Sequence, residues 1–505
     1  MQIRDRYAPS PTGLQHIGGI RTALFNYLFA KSRGGAFILR LEDTDRTRFD
    51  PAFVQNLYDT FEWLGINWDE GPNVGGSAGP YIQSERFELY KKYAAELIAK
   101  DKAYYCFCSA ERLDRIREER EAAHSSETGY DRHCRNISPA EAAERVKAGE
   151  AYTIRLKIPL GEGTKFHDHL LGDIEWKNED VNPDPVLLKS DGFPTYHLAN
   201  IVDDHLMGIT HVLRAQEWLS STPLHVIMYA AFGWEHPEFC HLPMVMGQDG
   251  KKLSKRHGAT SIDEFRRQGY IPEALLNYVA LLGASYEEGK DIYTLDELAA
   301  RFSLDKLNKA PAIFDYKKLE WYNGQYIRMK SDAELAELCL PYAIEAGLFS
   351  GGPGSAAPGP GAPSQAKGPS PEQRNTFTAA MPLIKERLVF LHEAAEKLGY
   401  LFSEPAVPGA AEFIPKKMDL PQAVGLLQQG RDLVKPLAEA ADDAGAETFI
   451  KEWAEKNGLK LGDLMMPLRV AITGSRVSPP LFGSLRLLGA EKSLARVDRA
   501  LAALT

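Results

Sequence analysis

The pattern of hydrophobic and polar positions near the start of the chain predicts a strand, a turn, a helix and a second strand. Residues 3–8, I-R-D-R-Y-A, read as a short parallel strand, and a turn rich in Pro and Gly follows it. Ile20, Leu24 and Leu28 then recur at helical spacing. Residues 37–41, F-I-L-R-L, alternate as a strand does. This order of elements is typical of an α/β sheet.

The α/β pattern is interrupted once before it resumes. Residues 51–100 carry a helical apolar stripe broken by the loop G-P-N-V-G-G-S-A-G-P. From residue 185 the strand V-L-L-K-S, a helix that begins at Tyr196 and the strand H-V-L-R-A follow one another. Residues 103–185 differ, with C-F-C, a charged helix and a polar turn. We interpret this stretch as an insertion between two halves of one sheet.

Helical periodicity dominates the last third of the chain. Short helices and a hairpin-like aromatic stretch at 314–323 are expected first, and beyond Ser331 the pattern is almost wholly helical, as at Met381, Ile384 and Leu388. The Gly/Pro/Ser/Ala tract at 351–371 cannot bury enough apolar surface to fold. We expect an α-helical region with a disordered loop inserted between its helices.

Length and charge narrow the class of protein. A chain of 505 residues, 44% hydrophobic and 25% charged, should form about three globular domains. Its net charge of −10 argues against a protein that coats nucleic acid with its whole surface, although a local basic patch is compatible with it. The N-terminus lacks an apolar signal segment, and no apolar run reaches the ~20 residues that span a bilayer. We expect a cytoplasmic protein with no membrane partner.

The first turn carries candidate phosphate-binding chemistry. His16, Gly18 and Gly19 stand where the first helix begins. The first N–H groups of a helix have no partner within it, and the helix dipole is positive there, so this position suits a phosphate.

Further candidate residues follow the ends of other strands, where ligands bind in open α/β sheets. Glu42 follows the second strand and could hold an ammonium group; the alternative is a solvated acidic loop. Tyr196 and Asn200 are four apart and share one helix face. Arg214 and Trp218 lie at another strand-to-helix junction, although core packing is the alternative for Trp218.

The segment M-G-Q-D-G-K-K-L-S-K-R-H-G is a second concentrated signal. Lys251, Lys252, Lys255 and Arg256 crowd a loop flanked by glycines. Such a run is often a solvated face, but cations beside a phosphate site would offset negative charge that develops there. Together with the His16 turn it predicts a nucleotide site at which an α-phosphate is attacked.

Three of the five cysteines lie close together in sequence. Cys106 and Cys108, with His133 or Cys134, could ligate zinc, because thiolates and imidazoles are ligands that zinc prefers. The alternative is a strand with a buried thiol, since C-x-C is a less usual zinc spacing than C-x₂-C. Both readings stay open.

The motifs H-I-G-G and K-L-S-K-R resemble the paired H-I-G-H and K-M-S-K-S motifs of class I aminoacyl-tRNA synthetases. With A-P-S-P-T-G, L-E-D-T-D-R, Y-H-L-A-N-I-V-D-D-H and R-A-Q-E-W, the chain resembles the bacterial glutamyl-tRNA synthetase family over nearly its whole length. The resemblance implies ATP-dependent activation of L-glutamate, with Mg²⁺, and transfer to the 3'-terminal ribose of tRNA-Glu by a monomer. The alternatives are a glutaminyl-tRNA synthetase and a small-molecule nucleotidyltransferase of the same fold.

The resemblance also implies a domain organisation. A Rossmann-type parallel-sheet catalytic domain would carry an inserted domain and be followed by an all-α anticodon-binding region. The implied boundaries are 1–106 and 186–245 for the catalytic halves, 107–185 for the inserted tRNA acceptor-binding domain, 246–328 for a connecting domain with the K-L-S-K-R loop, and 329–505 for the helical region.

Site residues are implied position by position. The implied catalytic residues are His16, Lys252 and Lys255. The implied glutamate-binding residues are Arg6, Ala8, Ser10, Glu42, Tyr196, Asn200, Arg214 and Trp218, without a decision on which arginine holds which carboxylate. The implied ATP-binding residues are His16, Gly18, Gly19, Glu217 and Lys255. Family members with zinc use C-x-C and a later C-x-H, but Asn136 stands two places after Cys134. His133 or Tyr130 are the substitutes, and no metal ligand set is assigned.

Overall fold

The computed structural model describes residues 2–45, 47–124, 129–350 and 368–505. The chain divides into two compact units, Met1–Phe265 with Leu275–Asp315, and Arg266–Ala274 with Tyr316–Thr505. Most of the predicted Gly/Pro loop, 351–367, lies outside the described residues. Its end is described: Ser370 caps a helix of which Pro371 is the first residue.

The first unit contains the described strands, and its central pairs are parallel. β1 pairs with β2, and β8 pairs with β9, both in parallel. The backbone N–H of Thr210, just before β8, donates to the carbonyl of Arg4 in β1 (2.9 Å) and joins the two pairs. The strands are β1 (Arg4–Tyr7), β2 (Ala36–Leu39), β3 (Ala103–Cys106), β4 (Thr153–Leu156), β5 (Gly163–Asp168), β6 (Gly172–Lys177), β7 (Val186–Leu188), β8 (His211–Ala215), β9 (Glu238–Leu242), β10 (Val245–Met246) and β11 (Ala312–Ile313).

Helices connect and cover these strands. They are α1 (Ile17–Ser32), α2 (Pro51–Leu64), α3 (Phe87–Ala99), α4 (Ala110–Ala122), α5 (Pro139–Lys147), α6 (Tyr196–Leu206), α7 (Thr222–Phe232), α8 (Ile262–Arg267), α9 (Pro272–Ala280) and α10 (Leu295–Arg301). The predicted stripe of α1 is fully buried at Ile20, Leu24 and Leu28, and α1 packs on β1, β2 and β8. This burial fixes the position of the N-terminal end of α1, which follows the turn after β1.

The segment between the parallel pairs forms its own small sheet. Its antiparallel strands have the order β3-β4-β7, and α4 and α5 lie between β3 and β4 in sequence. The side chain of Ser109 accepts a hydrogen bond from the backbone of Arg112 and starts α4. In β5 and β6 the chain continues as an antiparallel hairpin, and β5 also pairs with β9.

The second unit is helical over its described residues. Its helices from residue 316 on are α11 (Tyr316–Met329), α12 (Asp332–Glu345), α13 (Pro371–Ile384), α14 (Glu393–Phe402), α15 (Leu420–Ala438), α16 (Asp443–Lys456), α17 (Leu461–Thr473), α18 (Leu481–Leu488) and α19 (Ala490–Leu504). Leu427, Val434 and Leu468 belong to its continuous apolar core. The predicted α/β class with a helical C-terminal region is therefore confirmed, while the bounds of the five predicted segments stay a prediction.

The hairpin-like aromatic stretch is a helix instead. Leu319, Tyr322 and Tyr326 are buried on one side of α11 at spacings of three and four, so the aromatic residues follow helical periodicity. In the part of the chain that the structure describes, no helix has the length and apolarity needed to cross a membrane.

Candidate active site

A cavity of about 1320 Å³ opens in the first unit at the carboxyl ends of β1, β2 and β8. Its walls also include the start of α1, the start of α6 and the loop after β10. Ligands of open α/β sheets bind at this edge, because the loops that follow parallel strands converge there. This edge is therefore where the candidate residues named from the sequence motifs are expected to lie.

The start of α1 is shaped for close approach by a ligand. The Nδ1 atom of His16 accepts a hydrogen bond from the backbone N–H of Gly19 (3.2 Å) and caps the helix. A Cβ at Gly19 would lie 2.9 Å from the Tyr7 hydroxyl, so a larger residue does not fit without movement. Burial, and then the charge of Lys252, lower the pKa of His16. A lowered pKa favours the neutral ring, which is the form whose Nδ1 can accept this hydrogen bond. The positive end of the α1 dipole still favours an anion there.

Backbone hydrogen bonds bring the two sequence motifs together. The N–H of Ile17 donates to the carbonyl of Thr260 (3.1 Å), and the N–H of Ile262 donates to the carbonyl of Gln15 (3.0 Å). These bonds tie the segment that follows the K-L-S-K-R loop, residues 252–256, to the turn before α1. Motifs far apart in sequence therefore form neighbouring walls of the cavity.

The cavity floor, which we define as Arg6, Arg40, Glu42 and Asp204, is a buried ionic network. Arg6 contacts Asp204 through Nε–Oδ1 (3.1 Å) and Nη2–Oδ2 (3.2 Å). Arg40 donates to Asp204 (2.6 Å) and to Glu42 (2.9 Å). It also donates to the side-chain oxygen of Asn200 (2.9 Å). Every charge of the floor therefore has a partner before any ligand is present.

Electrostatics shift the pKa values of the two floor carboxyl groups in opposite directions. Burial disfavours the charged form of Asp204, but Arg6 and Arg40 outweigh that effect and lower the pKa of its carboxyl. For Glu42, burial dominates and raises the pKa despite the adjacent Arg40. Sequence reasoning missed Arg40 and Asp204. For Arg40 the available signal was a charged residue inside an otherwise apolar strand segment. For Asp204 it was a charged residue on the buried side of α6.

Arg214 forms the second cationic part of the cavity wall. It is 6% exposed and lies at the end of β8. The rings of Tyr196 and Trp218 approach within 4.5 Å between centroids beside it in the lining. Trp218 is 37% exposed, so it lines the cavity and does not pack in the core. Ala8 and Ser10, which follow β1, also line the cavity.

The cavity rim, which we define as Glu217, Lys252 and Lys255, is exposed. Lys252 Nζ lies 2.7 Å from a Glu217 carboxylate oxygen, and the two side chains are 61% and 50% exposed. Lys255 starts a short 3₁₀ turn after the loop. The rim thus has a cationic end that reaches toward the start of α1.

His257 organises the loop that carries the rim, and sequence reasoning missed it. Its Nε2 contacts Asp249 Oδ1 (3.0 Å), and its ring caps the turn at Ser254. A Cβ at Gly247 would lie 2.8 Å from the His257 ring, so glycine is needed there for close packing. The sequence signal for His257 was the H-G pair that ends the segment M-G-Q-D-G-K-K-L-S-K-R-H-G.

Comparison with known proteins decides the family. The family described as "tRNA synthetases class I (E and Q), catalytic domain" matches residues 2–321. The chain belongs to this family. The family described as "Anticodon binding domain" matches residues 334–501, within the helical part of this class I synthetase.

Relatives cover the synthetase along its whole length. A protein of Treponema denticola named "Glutamate–tRNA ligase" is 58% identical over 99% of this chain and 99% of its own length. One from Treponema pallidum with the same name is 54% identical over 99% of this chain and 97% of its own. A crystal structure of a glutamate tRNA ligase from Elizabethkingia meningosepticum in complex with its amino acid is 34% identical, covers both chains fully and gives a TM-score of 0.84.

All residues predicted for the synthetase site line the one cavity. Those predicted for glutamate are Arg6, Ala8, Ser10, Glu42, Tyr196, Asn200, Arg214 and Trp218, and those predicted for ATP or catalysis are His16, Gly18, Gly19, Glu217, Lys252 and Lys255. Their individual roles stay predictions.

The cysteines of the inserted segment also come together. Cys106, Cys108 and Cys134 place their sulfur atoms within 4.8 Å of one another. The hydroxyl of Tyr130 lies 3.3 Å from Cys106 Sγ and 3.5 Å from Cys108 Sγ. His133 is exposed and is not part of this group of described residues. Of the two alternatives for the third ligand, Cys134 therefore has the suitable position.

The geometry of these thiols fits a zinc ion. Cys108 Sγ and Cys134 Sγ are 3.6 Å apart, close to the ~3.8 Å that two sulfurs span on a tetrahedral zinc with bonds of ~2.3 Å. The hydrogen bond between Cys106 and Cys134 lowers the pKa of Cys106 and raises that of Cys134, so this pair favours a single thiolate.

Proposed function

We propose that this synthetase ligates glutamate to tRNA, first forming glutamyl-adenylate from ATP and then transferring the glutamyl group to the 3'-terminal ribose of tRNA-Glu. The observation that carries the proposal is the single cavity that joins a helix N-terminus and two lysines with two buried arginines. The names of the relatives, at 54% and 58% identity over nearly the full length, support the same reaction.

The floor and the wall around Arg214 would hold the amino acid. Glutamate has two carboxylates and one ammonium group, and Arg6, Arg214 and Glu42 offer two guanidinium groups and one carboxylate in the same cavity. Tyr196 and Asn200, which lie on one face of α6, would hold the substrate in place. A neutral glutamine side chain would leave one guanidinium without an anionic partner, which favours glutamate.

The start of α1 and the rim would hold ATP. In the first step a carboxylate oxygen of glutamate attacks the α-phosphorus and the bond to pyrophosphate breaks. His16 and the positive end of the α1 dipole would stabilise phosphate oxygens, and Lys252 and Lys255 would offset the charge of the departing pyrophosphate. Mg²⁺ would accompany the ATP; carboxylates of the cavity lining offer the oxygen ligands that this ion prefers.

Other parts of the chain would bind the tRNA. We assign the inserted segment 107–185 to the acceptor end and the helical region 329–505 to the anticodon. The match of residues 334–501 to an anticodon-binding family supports the second assignment. Anticodon bases are unpaired and can stack on protein side chains, which is how single-stranded RNA is commonly recognised. We further propose a cytoplasmic monomer.

Zinc would have a structural role in the inserted segment. Cys106, Cys108 and Cys134 would hold it, with the Tyr130 hydroxyl nearest to the fourth position. Such an ion would link β3 to the turn near residue 134 and would take no part in the chemistry. Metal analysis of the purified protein tests this: about one equivalent of zinc is expected, and it should be lost in a Cys106→Ser, Cys108→Ser double variant.

Pyrophosphate exchange tests the proposed reaction. Purified protein should catalyse exchange of labelled pyrophosphate into ATP when glutamate and tRNA are both present, with glutamine as the matched substrate control. Separate charging assays with tRNA-Glu and tRNA-Gln then define the tRNA product. Equal exchange with glutamine, or none with glutamate and tRNA, would refute the proposal. Glutamine-specific exchange would instead identify a glutaminyl-tRNA synthetase.

A further inference from the structure

Arg214 is held by uncharged partners. Its Nε donates to His241 Nε2 (3.1 Å), and its Nη1 donates to His225 Nδ1 (3.2 Å). Its Nη2 donates to the Thr222 hydroxyl (2.8 Å) and, at 3.5 Å, to the carbonyl of Trp218. The guanidinium plane is therefore fixed from several sides by groups that carry no negative charge.

These contacts determine the tautomer of His241. A guanidinium has only donors, so the His241 nitrogen that faces it must carry a lone pair. The proton of the neutral ring is therefore on Nδ1, which lies 2.7 Å from Asp168 Oδ2. His241 and Asp168 are both fully buried, so this bond is shielded from water.

Asp168 is itself held as a carboxylate by donors only. Its Oδ2 also accepts from the backbone N–H of His241 (3.0 Å), and its Oδ1 accepts from the N–H groups of Leu170 (3.0 Å) and Leu171 (2.9 Å). The charge of Asp168 is thus fixed at the end of β5, and one oxygen is directed at the imidazole. An ordered line of groups runs from β5 through β9 to Arg214 on β8.

We propose that Asp168 and His241 are positioning residues that hold Arg214 in the orientation needed for an anionic amino-acid substrate. The inference rests on the proposed function of the cavity. Asp168 selects the His241 tautomer, and His241 presents a lone pair to Arg214 without neutralising it. In contrast, Arg6 is paired with the carboxylate of Asp204. The charge of Arg214 is therefore left for the substrate, and a negative group is preferred to an amide.

Steady-state kinetics of His241 variants tests the proposal. In His241→Leu the acceptor is lost, and KM for glutamate should rise about 10- to 100-fold, while KM for ATP and kcat change far less. His241→Gln offers a side-chain oxygen to Arg214 and should recover part of the loss. Cys240→Ala is the matched control, because Cys240 is a buried neighbour on β9 whose side chain points to the opposite face.

The selectivity of the effect separates positioning from general damage to the fold. Thermal unfolding of each variant is measured alongside. The proposal is overturned if His241→Leu raises the KM values for glutamate and ATP equally, if it changes neither, or if Cys240→Ala has the same effect on KM for glutamate. Failure of His241→Gln to improve on His241→Leu also counts against it.

A measurement without substrate keeps this inference distinct from the proposed function. Nitrogen spectra of ¹⁵N-histidine-labelled protein, with the His241 signals assigned by their loss in His241→Gln, should show a protonated Nδ1 and an unprotonated Nε2 at pH 7.5. In Asp168→Asn this pattern should change, because an amide cannot accept from all four donors. A wild-type His241 with Nε2 protonated would refute the positioning role even if glutamate is activated. Normal tautomers without glutamate activation would instead refute the proposed function alone.

Discussion

The floor and the rim of the cavity solve the problem of binding charged substrates in opposite ways. The floor charges are buried and paired with one another, as Arg40 is with Glu42 and Asp204. The rim charges are exposed, and the pair between Lys252 and Glu217 lies largely in solvent. Buried pairs are costly to break, whereas exposed pairs contribute little. The floor is therefore preorganised, and the rim depends on its ligand for order.

This difference predicts which variants change the stability of the fold and which change only the catalytic activity. A change in the floor alters groups that the folded chain needs for its own stability, because an unpaired buried charge is strongly unfavourable. A change in the rim removes a cation that the folded chain does not need. Floor variants should therefore lose stability and activity together, and variants of the rim lysines should lose activity alone.

The largest effect is expected in the floor, from Asp204→Asn. Arg6 and Arg40 would both lose their shared carboxylate, and the free energy of unfolding should fall by about 3–5 kcal/mol. Urea denaturation followed by circular dichroism measures this, and exchange activity should be lost as well. Glu175→Gln is the control, since its pair with Lys165 is exposed and should change stability by less than ~0.5 kcal/mol. Similar stability losses in the two variants would contradict the comparison.

The next largest effect is expected at the rim, from Lys255→Ala. Removal of a cation that stabilises the departing pyrophosphate should lower kcat for adenylate formation about 10²- to 10³-fold. The thermal unfolding midpoint should stay unchanged, because this residue is exposed. Lys251→Ala is the matched control, since Lys251 is an exposed lysine of the same loop outside the cavity lining. A rise in KM for glutamate with unchanged kcat would argue against the role of Lys255.

The contrast also explains what could be predicted from the sequence. The His16 turn and the lysine loop are local motifs, so their chemistry is visible in a few consecutive residues, and periodicity alone predicted α1 and the helical C-terminal region. The floor is different. Arg40 and Asp204 are 164 positions apart. Arg40 stands among apolar residues that spacing assigns to the core, and Asp204 lies between Asp203 and His205. Only the folded arrangement of β2 and α6 shows that they are partners.

A smaller effect is expected from pH, at His197 near the Arg214 wall of the cavity. His197 accepts a hydrogen bond from His225 (3.0 Å), and burial, followed by the charge of Arg214, lowers the pKa of His197 to about 4. The unfolded chain binds a proton near pH 6.5, so it takes up more protons than the fold between pH 6.5 and 4. Stability should therefore fall by roughly 1–3 kcal/mol as pH decreases through this window.

Unfolding midpoints of wild-type protein and His197→Gln, measured from pH 7 to 4, isolate that contribution from those of the carboxyl groups. The variant should show a weaker decrease in stability over this window. His167→Gln is the control, because its ring is 63% exposed. Parallel profiles for wild type and His197→Gln would show that the buried imidazole adds nothing to the pH dependence.

The smallest effect is expected from Glu217→Gln at the rim, and it probes the comparison most directly. The pair with Lys252 is short, at 2.7 Å, yet both side chains are at least half exposed. An exposed pair contributes about 0.2–1 kcal/mol, so KM for ATP should change by less than about fivefold and the unfolding midpoint should not move. If Glu217→Gln instead destabilised the protein as Asp204→Asn does, the rim pair would be structural and the two regions would not differ in the way proposed. If it left stability intact but abolished ATP binding, Glu217 would itself be a major ligand of the nucleotide, and the rim would be more specific than a pair of screened cations.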